Sequence, residues 1–331
     1  MKTICKSGYI CHPRQLYTVR RMTVAEGKSK GMDVIEVCTA GGLQVDILPD
    51  TGLDIGQVRY KGTNVTFISK NGYDSTAAIN PYELEFLNTF PGGLLYTCGL
   101  RTTGAPHRDG EEWQTQHGRY HSLSAEPVAI LEEEDCIIIK GTVRETALFG
   151  YNLQLKRTIH IPVMGAEISV SDELTNLGFQ PEEYALLYHC NFGFPLVSED
   201  AHLELPRERK TSPRTPFAAT GLGKETTFDK PTPGEEERVF FHENMAHKAA
   251  IVNETIHTRM EMTWSDTLPI LAHWRSMASG DYVCALEPTN CYIMGRKFER
   301  ENGTLPKLQS FETVKTQVTF HFQTISGGYI L

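Results

Sequence analysis

Several things are missing from this chain, and each absence excludes something. There is no run of 18 or more apolar residues, so no membrane-spanning helix is expected. There is no basic stripe. The 32 Lys and Arg are outnumbered by 41 Asp and Glu, for a formal net charge of -9, which speaks against a nucleic-acid partner. The most basic stretch, Arg207 to Lys210, is short and interrupted by Glu208, as a solvated loop would be. Met1 to Tyr9 contains two lysines and no apolar centre of the kind a secretory signal carries. None of the cysteines at 5, 11, 38, 98, 136, 190, 284 and 291 forms a CxxC pair. A disulfide scaffold is therefore not expected, and a reducing, cytoplasmic setting is. Cys38, Cys136 and Cys190 sit in strand-like runs and read as small buried thiols. No Gly-Lys-Ser/Thr follows the glycine pair Gly92-Gly93, and no βαβ alternation appears, so a nucleotide-binding α/β fold is disfavoured.

What remains is a globular composition, with 40% hydrophobic and 22% charged residues over 331 positions. Short β-type runs dominate, broken by Gly, Pro, Asn and Asp. They fall at 34–38, 43–48, 64–68, 135–146, 151–161, 167–176, 184–191, 249–252, 259–264, 282–287 and 313–323. Ile168, Val170 and Leu174 alternate with polar neighbours, as do Val314, Val318, Phe320 and Phe322. That period of two gives one buried and one wetter face per strand. Helical signal is weak. Pro81–Asn88 reads as one short helix with Asn80 as N-cap, and Arg14–Tyr17 as a single turn. The 209–237 stretch, rich in Pro, Thr, Gly and Glu, reads as a long loop. No repeat and no composition shift divides the chain. The expectation is one all-β domain over 1–331, a large antiparallel β-sandwich with few short helices.

Candidate chemical groups stand at the ends of several of these runs. His189, in Tyr188-His189-Cys190-Asn191-Phe192-Gly193, ends a strand and suits proton transfer near neutral pH, though a core histidine would read the same. Glu287 closes an apolar strand before Pro288 and is either a held base or an exposed turn acid. His117-Gly118-Arg119-Tyr120-His121 spaces two histidines four apart around an arginine. In an extended segment His117 and Arg119 share one side and could grip hydroxyls, while a zinc site on His117 and His121 is the alternative. Arg101 follows Phe90-Pro91-Gly92-Gly93-Leu94-Leu95-Tyr96-Thr97-Cys98-Gly99-Leu100 and is a binding arginine or a rim charge. In Leu48-Pro49-Asp50-Thr51-Gly52-Leu53-Asp54-Ile55-Gly56, Asp50 suits a turn and Asp54 could reach a ligand. Trp274, between His273 and Arg275, suits stacking on a sugar face or a place at a sheet edge.

These blocks, in this order and with Leu286-Glu287-Pro288-Thr289-Asn290 late in the chain, resemble the aldose 1-epimerase (galactose mutarotase-like) superfamily. The resemblance is greater to its less characterised epimerase-related branch, and it spans about Gln15 to Phe322. It implies a β-supersandwich with the sugar on a concave sheet face. It places the general acid on His189, the general base on Glu287 and a ring-oxygen contact on His117. Arg101 and Arg119 compete for a hydroxyl-binding arginine. Asp54, Asn191, Trp274 and Arg275 join the substrate-binding set.

On this reading one group takes a proton from the anomeric hydroxyl and the other delivers one to the ring oxygen. The ring opens, C1–C2 rotates and the ring recloses. No metal or other cofactor is required, and the partner is a small sugar. A homodimer built on a sheet edge is compatible with the sequence. Mutual attraction is expected to raise the His189 pKa and lower that of Glu287. Two other functions fit the same residues. One is an isomerase or epimerase acting at another carbon, metal-assisted through His117 and His121. The other is a non-catalytic sugar sensor.

Overall fold

The computed structural model describes residues 6–75 and 85–325. The longest alternating runs build the largest sheet. Cys136–Thr146, Asn152–Pro162, Glu167–Asn176 and Thr313–Thr324 lie side by side, all antiparallel. Ala129–Glu132 closes one edge, and Thr258–Trp264, Lys248–Asn253 and Ala201–Glu204 extend the other, for eight strands. One face of each strand buries residues such as Ile159, Val170 and Phe320, and the other is wetter.

A six-stranded sheet packs across that core. Its order is Lys210–Pro213, Arg238–Glu243, Ile270–Ala278, Asp281–Thr289, Ala185–Phe192 and Tyr96–Leu100. Its strand Ala185–Phe192, between Asp281–Thr289 and the edge strand Tyr96–Leu100, is buried at every residue. Leu186, Tyr188, Cys190 and Phe192 enter the main core, while Leu187 packs in a smaller apolar cluster with Phe86, Phe90, Tyr96 and Phe241. A five-stranded sheet, opening with Tyr17–Thr23 and ending at Thr63–Asn64, is tied to the six-stranded one by the bridges Ile55–Leu95, Thr66–Phe192 and Ile68–Gly92. Core residues run from Tyr17 to Phe322 in one cluster. Among the described residues no helix is long and apolar enough to cross a membrane, and the described cysteines are all free.

The structure departs from the sequence reading in places. The run at 64–68 is a strand only over Thr63–Asn64, followed by single bridges at Thr66 and Ile68. The expected loop at 209–237 holds the strand Lys210–Pro213 and the helical turn Pro216–Ala219, capped by the Thr215 side chain. Helix Glu85–Thr89 covers the end of the expected 81–88 helix, and its proposed cap, Asn80 and Pro81, lies outside the described residues. The expected turn at Arg14–Tyr17 is a 3-10 turn over Pro13–Gln15, with Tyr17 opening a strand instead.

Candidate active site

Strand register brings two of the candidate groups together. Leu187 pairs with Thr289 and Cys190 with Leu286, so His189 stands opposite Glu287 on neighbouring strands. Tyr96 pairs with His189 on one side, and Ala272 with Glu287 on the other. Glu287 Oε1 lies 3.3 Å from His189 Nε2, and both side chains are buried. At that distance the two are in contact without hydrogen-bond alignment. Glu287 Oε1 and His189 Nδ1 have no hydrogen-bond partner among the described residues.

Rings close around the pair. Phe90 lies 5.2 Å from the His189 ring, Trp274 5.5 Å and His117 5.9 Å. Phe86 packs on His117 at 5.1 Å, and His121 stacks on Tyr96 at 4.9 Å. The Asn191 amide donates to Gly93 O at 3.0 Å and to His189 O at 2.9 Å, leaving its own oxygen without a partner. Trp274 Nε1 donates to Glu237 at 2.7 Å, and Glu237 also accepts from Arg214 at 3.1 Å.

His117 reaches this place through a turn that only certain residues make. It adopts φ 57°, and Gly118 follows with φ 78°. A Cβ on Gly118 would lie 2.3 Å from Gly99 O. Gly118→Ala is therefore expected to cost at least ~1–2 kcal/mol from the left-handed backbone alone, more from the clash, and to displace His117. Thermal unfolding reads the first effect. Sugar turnover reads the second, and a variant of unchanged stability and rate would contradict this placement.

The electrostatics differ from the sequence expectation. Burial pushes Glu287 up to about 8, with Glu237 adding to the rise and Arg214 opposing it. Burial pushes His189 down to about 3; His117 adds to the fall and the Asn191 side chain acts the other way. Desolvation of both groups thus outweighs their mutual attraction. The pair still carries one proton at neutral pH, but carboxyl and imidazole are both neutral. Burial likewise holds His117 down to about 4 and His121 down to about 3.

The remaining candidates go elsewhere. Asp54 accepts from Thr97 N and Thr97 Oγ1 at 2.7 and 2.6 Å and pairs with Arg157, on the opposite face of the sheet. Arg275 donates to the backbone oxygens of Lys224 and Glu225 at 3.1 and 3.3 Å. Arg101 is held by Glu112 and Glu182 and stacks on the Tyr151 ring at 4.0 Å. Arg101 and Arg119 line another cavity, of about 150 Å³, with buried Glu145. The structure thus gathers His189, Glu287, His117, Asn191 and Trp274, and leaves Asp54, Arg101, Arg119 and Arg275 outside. No three His, Cys, Asp or Glu among the described residues group as a metal site. Phe86, Arg214 and Glu237 were not picked out from the sequence. Arg214 and Glu237 lie within the 209–237 stretch, whose pairing to Trp274 no local pattern announces.

A family model describing a domain of unknown function, DUF4432, matches residues 29–322. The chain belongs to the DUF4432 family. No curated protein matches it. Solved structures share the fold of this DUF4432 chain. A Klebsiella pneumoniae protein provisionally described as an aldose 1-epimerase superposes with a TM-score of 0.87 at 23% identity, over 97% of this chain and 90% of that one. A galactose mutarotase-like protein from Clostridium acetobutylicum gives 0.65 at 15% identity, over 94% and 100%. The galactose 1-epimerase of Lactobacillus acidophilus gives 0.64 at 14%, over 93% and 99%. At these identities the likeness establishes a galactose mutarotase-like fold, as the sequence blocks implied.

Proposed function

We propose that this DUF4432 protein interconverts the anomers of an aldose, with His189 and Glu287 as its acid–base pair. The observation that carries the reading is the buried contact between those two side chains on adjacent strands of the six-stranded sheet. A buried carboxyl and imidazole sharing one proton can deliver it to one sugar oxygen while taking another from the second. The anomeric hydroxyl and ring oxygen both bond to C1, so a single small pair can serve both. Burial starts the proton on Glu287. The roles the sequence blocks implied, His189 as acid and Glu287 as base, follow once the proton has moved across the contact as the sugar enters. The fold shared with a galactose mutarotase-like protein and a galactose 1-epimerase is consistent with that chemistry. Trp274 and His117 flank the pair and would bracket the sugar ring.

The pair works only with one proton. It loses that proton as pH rises through about 8 and gains a second only near 3. Polarimetric kcat/KM for anomer conversion is expected to stay level from pH 5 to 7 and to fall about tenfold per unit above about 8. A rise through the ordinary carboxylate range, or a fall through the ordinary imidazole range, would overturn the assignment.

A further inference from the structure

A groove of about 470 Å³ opens beside the acid–base pair, lined by Arg214, Thr215, Phe217, Glu237 and Val239 among others. Its wall is continuous with the site. Val239 pairs with Trp274 on the neighbouring strand, and Glu237 accepts from the Trp274 indole at 2.7 Å. The ring that joins the groove to the pair is also the most open one. Of the rings around His189, Phe90 and His117 are buried, whereas Trp274 is half-buried. Arg214 is near enough to Glu287 and His117 for its charge to act on both.

The lining has the composition that carbohydrate needs. Both Glu237 oxygens are occupied, one by Arg214 and one by Trp274, so the Arg214 side chain is fixed while most of its N–H groups have no partner among the described residues. Those donors match hydroxyl oxygens. Phe217 is half-buried, with the Arg238 guanidinium 4.2 Å from its ring centroid, and offers a rigid apolar face beside them. An apolar ring next to convergent, pre-positioned donors suits the mixed C–H and O–H surface of a sugar. The volume is larger than a single pyranose fills and falls within the ~300–1,000 Å³ of small-molecule sites.

We infer that this groove is a second sugar subsite, and that the substrate is a reducing disaccharide or longer oligosaccharide. Its reducing residue sits at His189 and Glu287, and its next residue lies between Arg214 and Phe217. The inference rests on the proposed anomer chemistry for the orientation of the sugar, but its test reads binding alone. Calorimetric titration would compare glucose and galactose with maltose, cellobiose, lactose and melibiose. At least one disaccharide is expected to bind at least tenfold more tightly than its own reducing-end monosaccharide. Phe217→Ala and the milder Phe217→Leu are expected to bring that ratio close to one and to about threefold, respectively. Equal affinities for every pair, or a ratio untouched in both variants, would overturn the subsite. A tenfold ratio with no anomer exchange on any sugar would keep the subsite and overturn the mutarotase reading. Exchange on monosaccharides with a ratio near one would do the reverse.

Discussion

Glu287→Gln loses about 10²–10⁴ in anomer turnover and, at the same time, makes the folded protein more stable at neutral pH. The two effects come from one side chain. Glutamine keeps the shape but can neither give nor take the proton that the pair shares. The stability effect follows from burial. The carboxyl is pushed from its ordinary 4.5 up to about 8 in the folded chain. A raised folded pKa contributes stability that is present below the unfolded value and lost as pH rises through the folded one. Between about pH 4.5 and 8 the unfolded chain therefore ionises Glu287 while the folded chain holds it neutral, and stability declines. At pH 7 that decline amounts to at most about 3 kcal/mol. Glutamine has no such charge to release. Denaturant unfolding at pH 7.5 should show the variant above the wild type, and at pH 4 the two should converge. A variant that is destabilised at both pH values would show that the folded state holds Glu287 ionised.

Arg157→Met is expected to cost about 3–5 kcal/mol, enough to unfold the chain or leave it barely folded at 37 °C. Arg157 is fully buried and engages all its donors. They go to Asp172 Oδ1 and Oδ2 at 2.9 and 2.7 Å, to Asp54 Oδ1, to Thr97 Oγ1 at 2.9 Å and to Gly52 O at 3.3 Å. Methionine fills comparable space but abandons two buried carboxylates, and that uncompensated charge is the main cost. Burial already pushes Asp54 up to about 6 against the pull of Arg157. The cluster also bears on the site. Tyr188, which donates to Asp172 at 2.7 Å, pairs in register with Thr97 and immediately precedes His189. The arginine thus pins, from behind, the two strands that carry His189 and Tyr96. A double variant that also removes both acids, Arg157→Met with Asp54→Leu and Asp172→Leu, should recover much of the lost stability. If Arg157→Met alone unfolds with wild-type midpoint, the cluster does not hold these strands.

The cluster also shows what the sequence disclosed and what it withheld. Leu153, Leu155, Ile159 and Ile161 define the inward face of one strand, and Arg157 falls on that same face. Ile168, Val170 and Leu174 do so on the next, with Asp172 between them. Two opposite charges on inward positions of adjacent strands signal a buried pair, and Arg157 and Asp172 are indeed register partners. Arg157 is also the true partner of Asp54, which neither that pattern nor the turn Asp50 to Gly56 announced. Strands with one wet face were legible for the same reason of alternation. Ala185–Phe192 was legible only as an apolar run and not by alternation, because a core covers each of its faces and no period of two survives. Tyr17–Thr23 is largely exposed and carries two arginines, so it offered little apolar pattern to read. His189 and Glu287 were visible as strand-end groups, but their contact is a matter of register. The protonation they adopt is a matter of burial, which the sequence did not show. Arg214 and Glu237 become part of the site only through the fold of the 209–237 segment over Trp274.

The measurement that bears most directly on the central claim is anomer exchange followed by proton NMR in D₂O, with chelator present. It would run over a panel of neutral and acidic aldoses with the wild-type protein and the His189→Asn variant. The expected result is accelerated exchange between the two C1 signals of at least one sugar, with every carbon-bound proton retained and the acceleration lost in the variant. Deuterium entering at a ring carbon, or exchange that appears only once a divalent metal is restored, would contradict the account and turn the site toward isomerase chemistry. Binding without any exchange would make it a sensor.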